Sequence, residues 1–152
     1  MAAETNVNVD QGSTPKSFAR FIPAIARTLM GLGFTAFGCM GLFHLGPQPK
    51  DLPKAVMDFM GAMNNTHYFF PLLFCTQLLV GLLLLFNLFA PLALVLIMPV
   101  LVNIILYHIF LQPEGIVPGV ILMAIELYLA WVYRKAYQPL LTMRMRPNQP
   151  PK

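Results

Sequence analysis

The chain has 152 residues, of which 57% are hydrophobic and only 11% are charged, and its formal net charge is +4. Because a soluble domain of this size carries about 25% charged residues, the composition excludes an ordinary soluble globular protein and favours an integral membrane protein. The basic residues lie near the two chain ends rather than in a folded polar region, so they predict membrane orientation and no nucleic-acid partner.

The first part of the chain predicts one membrane span and a polar connection. Residues 1–20 form a polar N-terminal tail that has too few apolar residues to build a core. The first apolar run covers residues 21–43 and is long enough to cross a bilayer as a helix. A polar connection follows at residues 44–67, and residues 52–60 within it predict a short amphipathic helix at the outer membrane surface.

Three further apolar runs follow, at residues 68–89, 92–111 and 117–133, the last continuing to residue 137. Ala90 and Pro91 predict a tight hairpin, so the second and third spans are expected to be antiparallel neighbours. Residues 138–152 form a basic, Pro-rich tail. The predicted fold class is therefore all-α, an integral membrane four-helix bundle whose domain covers residues 21–137.

Charge asymmetry predicts the orientation of these spans. Most basic residues flank one side of the predicted bundle: Lys16, Arg20, Arg134, Lys135, Arg144, Arg146 and Lys152. In the other loops only Lys50 and Lys54 are basic, and acidic residues accompany them. Because cytoplasmic segments carry an excess of Lys and Arg, both termini are expected in the cytoplasm, and the chain is expected to be a multi-pass protein of the inner (cytoplasmic) membrane.

Each predicted span contains one polar side chain that hydrocarbon disfavours, and these are Arg27, Gln77, Asn103 and Glu126. A lipid-facing Arg or Glu at mid-depth costs roughly 2.5–3.5 kcal/mol, so these side chains are expected to face the interior and to find partners. In the first span, Gly31, Thr35 and Gly38 share a helical face with Arg27. Such a stripe of small residues predicts a close helix contact at this face.

Depth along the helices predicts which polar groups meet. Gln77, Asn103 and Glu126 lie at about the same depth, and Tyr107 recurs one turn from Asn103 on the same face. Two interpretations stay open. In one, Arg27 pairs with Glu126 and the other side chains brace the helices. In the other, the polar residues form a pocket for a polar headgroup such as a quinone carbonyl, with Glu126 handling a proton.

Three histidines, His44, His67 and His108, are expected at the outer surface. A metal site needs about four ligands at close range, and no HxxxH or CxxC spacing is present. Ordinary interfacial histidines are therefore favoured over a metal site. No pair of histidines lies within the spans, so haem is not expected.

Two cysteines, Cys39 and Cys75, occupy different spans at similar outer depths. They are able to form a disulfide or a thiol relay if their Cα atoms lie within about 7 Å of each other. Otherwise a buried cysteine is simply a small apolar residue.

The chain resembles the DoxX-like family of small four-helix membrane proteins over residues 27–141. The residues that carry this resemblance are 27–32 (RTLMGL), 77–84 (QLLVGLLL), 90–94 (APLAL), 103–108 (NIILYH) and 126–131 (ELYLAW). Many members carry Glu where this chain has Gln77, so a titratable group of the family is absent here.

The resemblance implies association with redox systems. Some members of the family are membrane partners in thiosulfate:quinone oxidoreduction or accompany terminal oxidases. The expected function is therefore an accessory subunit of a membrane electron-transfer complex, respiratory or photosynthetic, that does not catalyse a reaction on its own. Two alternatives are a quinone-linked oxidoreductase component and a small transporter or lipid-binding protein. The expected partners are the lipid bilayer and other membrane subunits, and the expected ligand is a quinone or a lipid.

Overall fold

The computed structural model describes residues 21–46 and 52–141. Within these residues the chain is helical and contains no β-strand, which confirms the predicted all-α class for this part. Six α-helices follow in order: α1 (Ile22–Leu42), α2 (Lys54–Asn65), α3 (Phe69–Leu85), α4 (Ala90–Phe110), α5 (Ile116–Val132) and α6 (Arg134–Tyr137). Single turns of 3-10 helix occupy Pro113–Gly115 and Gln138–Leu141.

Three segments are long and apolar enough to cross a membrane, namely α1, α4 and the segment Pro113–Val132 that contains α5. The shorter α3 has 17 residues and follows α2 across an 88° bend. Counting this bent pair as one span raises the number to four. The lengths and compositions of its helices therefore indicate a multi-pass membrane protein.

The reversal between α3 and α4 occupies residues 86–89. Asn87 and Phe89 both adopt the left-handed backbone conformation, with φ of 56° and 48°. Ala90 and Pro91 lie in the first turn of α4, where proline lacks only an N–H that the helix does not use. The predicted hairpin lies at the expected place, but its turn precedes Ala90 and Pro91.

The helix α2 lies almost at a right angle to α3. Thr66 stabilises this corner, because its hydroxyl donates to the Met63 carbonyl at 2.6 Å and accepts from the Phe69 amide at 3.3 Å. Val56 is fully buried, whereas most other residues of α2 are exposed. The predicted amphipathic segment is therefore helical, and it extends beyond residues 52–60 to Asn65.

The buried core draws its residues from α1, α3, α4 and α5. Both α1 and α4 pack against α3 and against α5. The largest fully buried apolar side chains of this core are Met30, Phe34, Leu84, Leu94, Ile97, Leu101 and Leu129. Many other large apolar side chains lie on the outer surfaces of the helices. Such a surface indicates contact with lipid, because an apolar exterior of this extent is rare in water.

Some of the predicted features lie outside the described residues. These are residues 1–20 and 142–152, and the charged residues Lys16, Arg20, Lys50, Arg144, Arg146 and Lys152. Arg134 and Lys135 are exposed directly after α5. The Arg134 guanidinium lies 4.5 Å from the centre of the Trp131 ring, and it donates to the Trp131 carbonyl at 3.0 Å. Trp and Arg side chains of this kind are typical of a membrane–water interface.

Candidate functional site

The helices α1 and α3 approach each other closely along a stripe of glycines. A β-carbon placed on Gly38 lies 2.7 Å from the backbone nitrogen of Leu78, and one on Gly31 lies 3.0 Å from the backbone nitrogen of Leu85. On the opposite helix, a β-carbon on Gly81 lies 2.5 Å from a backbone nitrogen of α1. The close contact predicted from the small residues of α1 is therefore confirmed.

Four side chains have a buried polar atom without a hydrogen-bond partner among the described residues, and the atoms are Arg27 Nε, Thr35 Oγ1, Gln77 Oε1 and Glu126 Oε2. Two of these side chains are themselves almost fully buried. Glu126 of α5 is 1% exposed and Gln77 of α3 is 7% exposed. Within the described residues, the Glu126 Oε2 atom and the Gln77 Oε1 atom make no hydrogen bond. A buried acceptor without a partner costs on the order of 1–3 kcal/mol. These two side chains are therefore the strongest candidates for a role other than stability.

Glu126 and Gln77 lie at about the same depth. Gly119 of α5 packs against Ile105 of α4, so Glu126, about two turns further along the antiparallel α5, is level with Met98. The antiparallel helices α3 and α4 are joined by the short reversal at residues 86–89. Gln77 lies about as far before the end of α3 as Met98 lies after the start of α4, so Gln77 and Met98 are at the same level. This register supports the predicted polar layer for two of its members.

Arg27 does not reach this layer. Gly31 packs against Leu85, the last residue of α3, so Arg27 lies about one turn beyond the end of that helix. The same register separates Arg27 from Glu126 by roughly 15–20 Å along the helix axes, which is too far for an ion pair. Among the described residues no such pair forms, and the buried Arg27 Nε atom has no hydrogen-bond partner.

Asn103 and Tyr107 are not part of the interior layer, contrary to the prediction. The buried face of α4 carries Leu101, and Asn103 lies exposed on another side of the helix. Tyr107 is half-buried near the other end of α4, where its hydroxyl donates to Gln112 Oε1 at 3.1 Å and its ring centre lies 5.9 Å from that of Phe59 in α2. The prediction was wrong because α4 is apolar on every side, so its few polar residues do not mark an inner face.

The three histidines lie in two places. His44 and His67 have left-handed backbones, with φ of 53° and 62°, and with Asn64 they line a cavity of about 210 Å³. His108 lies elsewhere, and its Nδ1 atom is 2.8 Å from the Ile104 carbonyl. Among the described residues, no group of three His, Cys, Asp or Glu side chains is arranged to hold a metal ion. Sequence reasoning missed Asn64, whose only signal is its place one turn before His67.

The two cysteines are free thiols, with Cys39 half-buried and Cys75 exposed. Gly41 packs against the ring of Phe74, so Cys39 and Cys75, which neighbour these residues on α1 and α3, lie at similar depths. The structure therefore supports the predicted depth and holds no bond between the two sulfur atoms.

Two tyrosines, Tyr133 and Tyr137, follow Glu126 beyond the end of α5. Tyr133 lies directly after the last residue of α5, and Tyr137 is the last residue of α6. The Tyr137 hydroxyl donates to the Pro91 carbonyl at 3.1 Å, which joins α6 to the start of α4. Burial raises the pKa of Tyr137 above its ordinary value of 10, and the charges of Glu126 and Tyr133 raise it further.

The candidate site is therefore the interior pair of Gln77 and Glu126, with Tyr133 and Tyr137 on the side of the α3–α4 turn. The amide accepts and donates hydrogen bonds, and the carboxyl is able to release or take up a proton. This combination suits a small polar group or a proton inside an apolar bundle. Comparisons of this chain with known protein families, with curated proteins and with solved structures find no match.

Proposed function

We propose that the chain is a membrane subunit of an electron-transfer complex, similar to proteins of the DoxX-like family, in which Glu126 takes up and releases a proton. The observation that carries this proposal is the Glu126 carboxyl, which is 1% exposed and has an Oε2 atom without a partner among the described residues. Ionisable side chains inside membrane bundles are costly, and they typically belong to ion or proton pathways.

The proposed topology is a four-helix bundle of α1, α3, α4 and α5, with both termini on the cytoplasmic side of the inner membrane. The packing of α1 and α4 against both α3 and α5 supports a closed bundle. At 1.5 Å per residue α3 is about 25 Å long, close to the roughly 30 Å of a hydrocarbon core. The exposed Arg134 and Lys135 after α5 support a cytoplasmic C-terminus.

In this proposal the proton of Glu126 exchanges with the cytoplasmic side along Tyr133 and Tyr137. The place of Tyr137 supports this direction, because its hydroxyl bonds to Pro91 at the start of α4 and the charges of Glu126 and Tyr133 act on it. Reduction of a quinone to a quinol consumes protons together with electrons. A buried carboxyl that exchanges protons with one side of the membrane would supply protons to such a reaction in a neighbouring subunit. Gln77 does not titrate, which leaves Glu126 as the proton carrier of the layer.

Glu126→Gln tests the proposal, with Glu114→Gln at an exposed turn as the matched control. The tagged full chain is purified from its native membranes in a mild detergent, and the co-eluting proteins and quinones are identified. We expect electron-transfer subunits to co-elute with the wild type and with both variants. We expect quinone reduction by the complex to fall at least tenfold only for Glu126→Gln. Co-elution without any electron-transfer protein, or equal rates for both variants, would contradict the proposal.

Infrared spectroscopy tests the proton step separately. The carbonyl band of a protonated carboxyl shifts when hydrogen is replaced by deuterium, so the purified chain is titrated with pH in both solvents. A titrating band that disappears in Glu126→Gln and persists in Glu114→Gln supports proton exchange at Glu126. A spectrum that is the same in the wild type and in Glu126→Gln would exclude it.

A second candidate function is direct binding of a quinone at the interior layer. Gln77 and Glu126 lie at a common depth, where the Gln77 amide nitrogen and a protonated Glu126 carboxyl are able to donate hydrogen bonds to a quinone carbonyl. Their unpartnered oxygen atoms are able to accept hydrogen bonds from the hydroxyls of the quinol. Gln77→Leu is then expected to remove co-purified quinone while the infrared band of Glu126 persists. Phospholipid in place of quinone in the purified protein would instead favour the lipid-binding alternative.

A further inference from the structure

The exposed face of α4 carries one polar side chain in an apolar stripe. Its exposed residues recur at alternating steps of four and three: Leu92, Leu96, Pro99, Asn103, Leu106 and Phe110. This spacing is the 3.5-residue period of helices that pack along a shared seam. The other side of α4 is already buried against α3 and α5, whereas none of the described helices covers this stripe.

Asn103 is the residue that requires such a helix. It lies about 10 Å along the axis from the end of α4 at Phe110, deep within the span, and it is exposed. Among the described residues its side chain makes no hydrogen bond, and a lipid acyl chain offers none. An amide without partners in an apolar medium is strongly disfavoured. The surrounding stripe is otherwise apolar, so a second polar group at the same depth would satisfy Asn103.

We propose that two copies of this chain associate through α4, with Asn103 of each copy hydrogen-bonded to Asn103 of the other. A carboxamide is both donor and acceptor, so it is complementary to itself. Two copies with the same membrane orientation are related by a two-fold axis along the membrane normal, which brings identical residues together at identical depth. A different protein would need its own polar residue at that depth, whereas a second copy has one by symmetry.

The neighbouring residues fit this arrangement. Leu96 and Leu106 lie on the stripe about two turns and one turn from Asn103, and both are exposed. In the associated pair each leucine packs beside the amides and keeps lipid away from them. An isolated Asn in an otherwise apolar seam specifies register and oligomeric state in helical assemblies. The association is independent of the role proposed for Glu126, which lies on the inner side of α5.

Association is measured with the full chain labelled by donor or acceptor dye in phosphatidylcholine–phosphatidylglycerol vesicles, as energy transfer at decreasing protein-to-lipid ratio. Interhelical hydrogen bonds of this type in membranes contribute about 1–2 kcal/mol, so Asn103→Leu is expected to weaken association roughly 5- to 30-fold. Asn103→Gln keeps an amide and is expected to retain most of it. Asn65→Leu makes the same chemical change at an exposed residue of α2 and is expected to change nothing.

Disulfide crosslinking tests the geometry of the pair in a background in which Cys39 and Cys75 are replaced by alanine. Leu96→Cys is expected to give crosslinked dimers on oxidation, and Leu127→Cys, at an exposed residue of α5, is expected to give none. The proposal is overturned if the wild type shows no concentration-dependent energy transfer, or if Asn103→Leu associates as well as the wild type. Equal crosslinking at positions 96 and 127 also overturns it.

Discussion

Replacing Gly38 by alanine tests whether the backbone contact between α1 and α3 stabilises the fold. The added β-carbon lies 2.7 Å from the backbone nitrogen of Leu78 and 2.9 Å from its Cα atom, whereas non-bonded carbon atoms settle at about 3.5–4.0 Å. Backbone atoms cannot rotate away as a side chain can. The two helices must therefore move apart by roughly 1 Å at this point.

Overpacking of this kind costs about 1–3 kcal/mol, while alanine recovers up to about 1 kcal/mol of helix propensity relative to glycine. Gly33→Ala is the matched control, because it lies in the same helix and its β-carbon meets nothing within 4 Å. Both variants gain the same propensity, so it cancels between them. Gly38→Ala is therefore expected to have a free energy of unfolding about 1–3 kcal/mol lower than Gly33→Ala.

Titration of the protein from dodecyl maltoside into sodium dodecyl sulfate micelles measures this difference. The chain has a single tryptophan, Trp131 near the end of α5, and its fluorescence reports the loss of tertiary contacts. Circular dichroism follows the helical content in the same samples. Equal free energies of unfolding for Gly38→Ala and Gly33→Ala would refute the reasoning, because they would mean that α1 and α3 are not in backbone contact.

Two further predictions concern α2 and α6. Val56→Ala removes two buried methyl groups, which contribute about 0.8 kcal/mol each. This substitution is therefore expected to speed hydrogen exchange of the α2 amides about tenfold. The control Met57→Ala, at the exposed next position, is expected to leave the exchange rates unchanged. Tyr137→Phe removes the hydrogen bond to the Pro91 carbonyl and is expected to lower the free energy of unfolding by about 0.5–1.5 kcal/mol, with the exposed Tyr68→Phe as control. Because burial raises the pKa of Tyr137 above 10, its neutral hydroxyl stabilises the fold fully below pH 10, and this contribution is lost as pH rises through the raised value. An alkaline loss of stability that persists unchanged in Tyr137→Phe would contradict that assignment.

Close helix contacts were predictable from the sequence because they depend on a hard steric limit. Only a residue without a side chain allows another backbone to approach as closely as Leu78 approaches Gly38. The spacing of Gly31 and Gly38 on one face of α1 therefore indicated both that a helix packs there and which side of α1 it contacts. The boundaries of the apolar helices were predictable for a similar reason, since bilayer thickness limits their lengths.

The inner face of α4 was not predictable in the same way. Its residues are apolar on all sides, so the position of Asn103 was the only cue, and the assumption that polar groups turn inward was applied to it. That assumption is strong for a charged group and weaker for an amide, whose transfer to an apolar medium is less costly. In the structure Leu101 occupies the interior and Asn103 is exposed.

Glu126 and Asn103 show what a polar residue in a membrane span does and does not reveal. Both need compensation for leaving water, and the sequence establishes that need from their depth alone. The form of compensation depends on packing. Glu126 is enclosed by its own fold, where no neighbour in the described part of the chain satisfies its Oε2 atom, and a bound proton is the smallest partner that removes its charge. Asn103 has no charge to lose and lies on the outside, where the helix of a second copy would supply the missing hydrogen bond. Substitutions at the two positions are therefore expected to have different effects. Glu126→Gln changes proton exchange and leaves the association of two copies intact. Asn103→Leu weakens that association and leaves proton exchange intact. A loss of both properties in either variant would show that the two groups belong to one site.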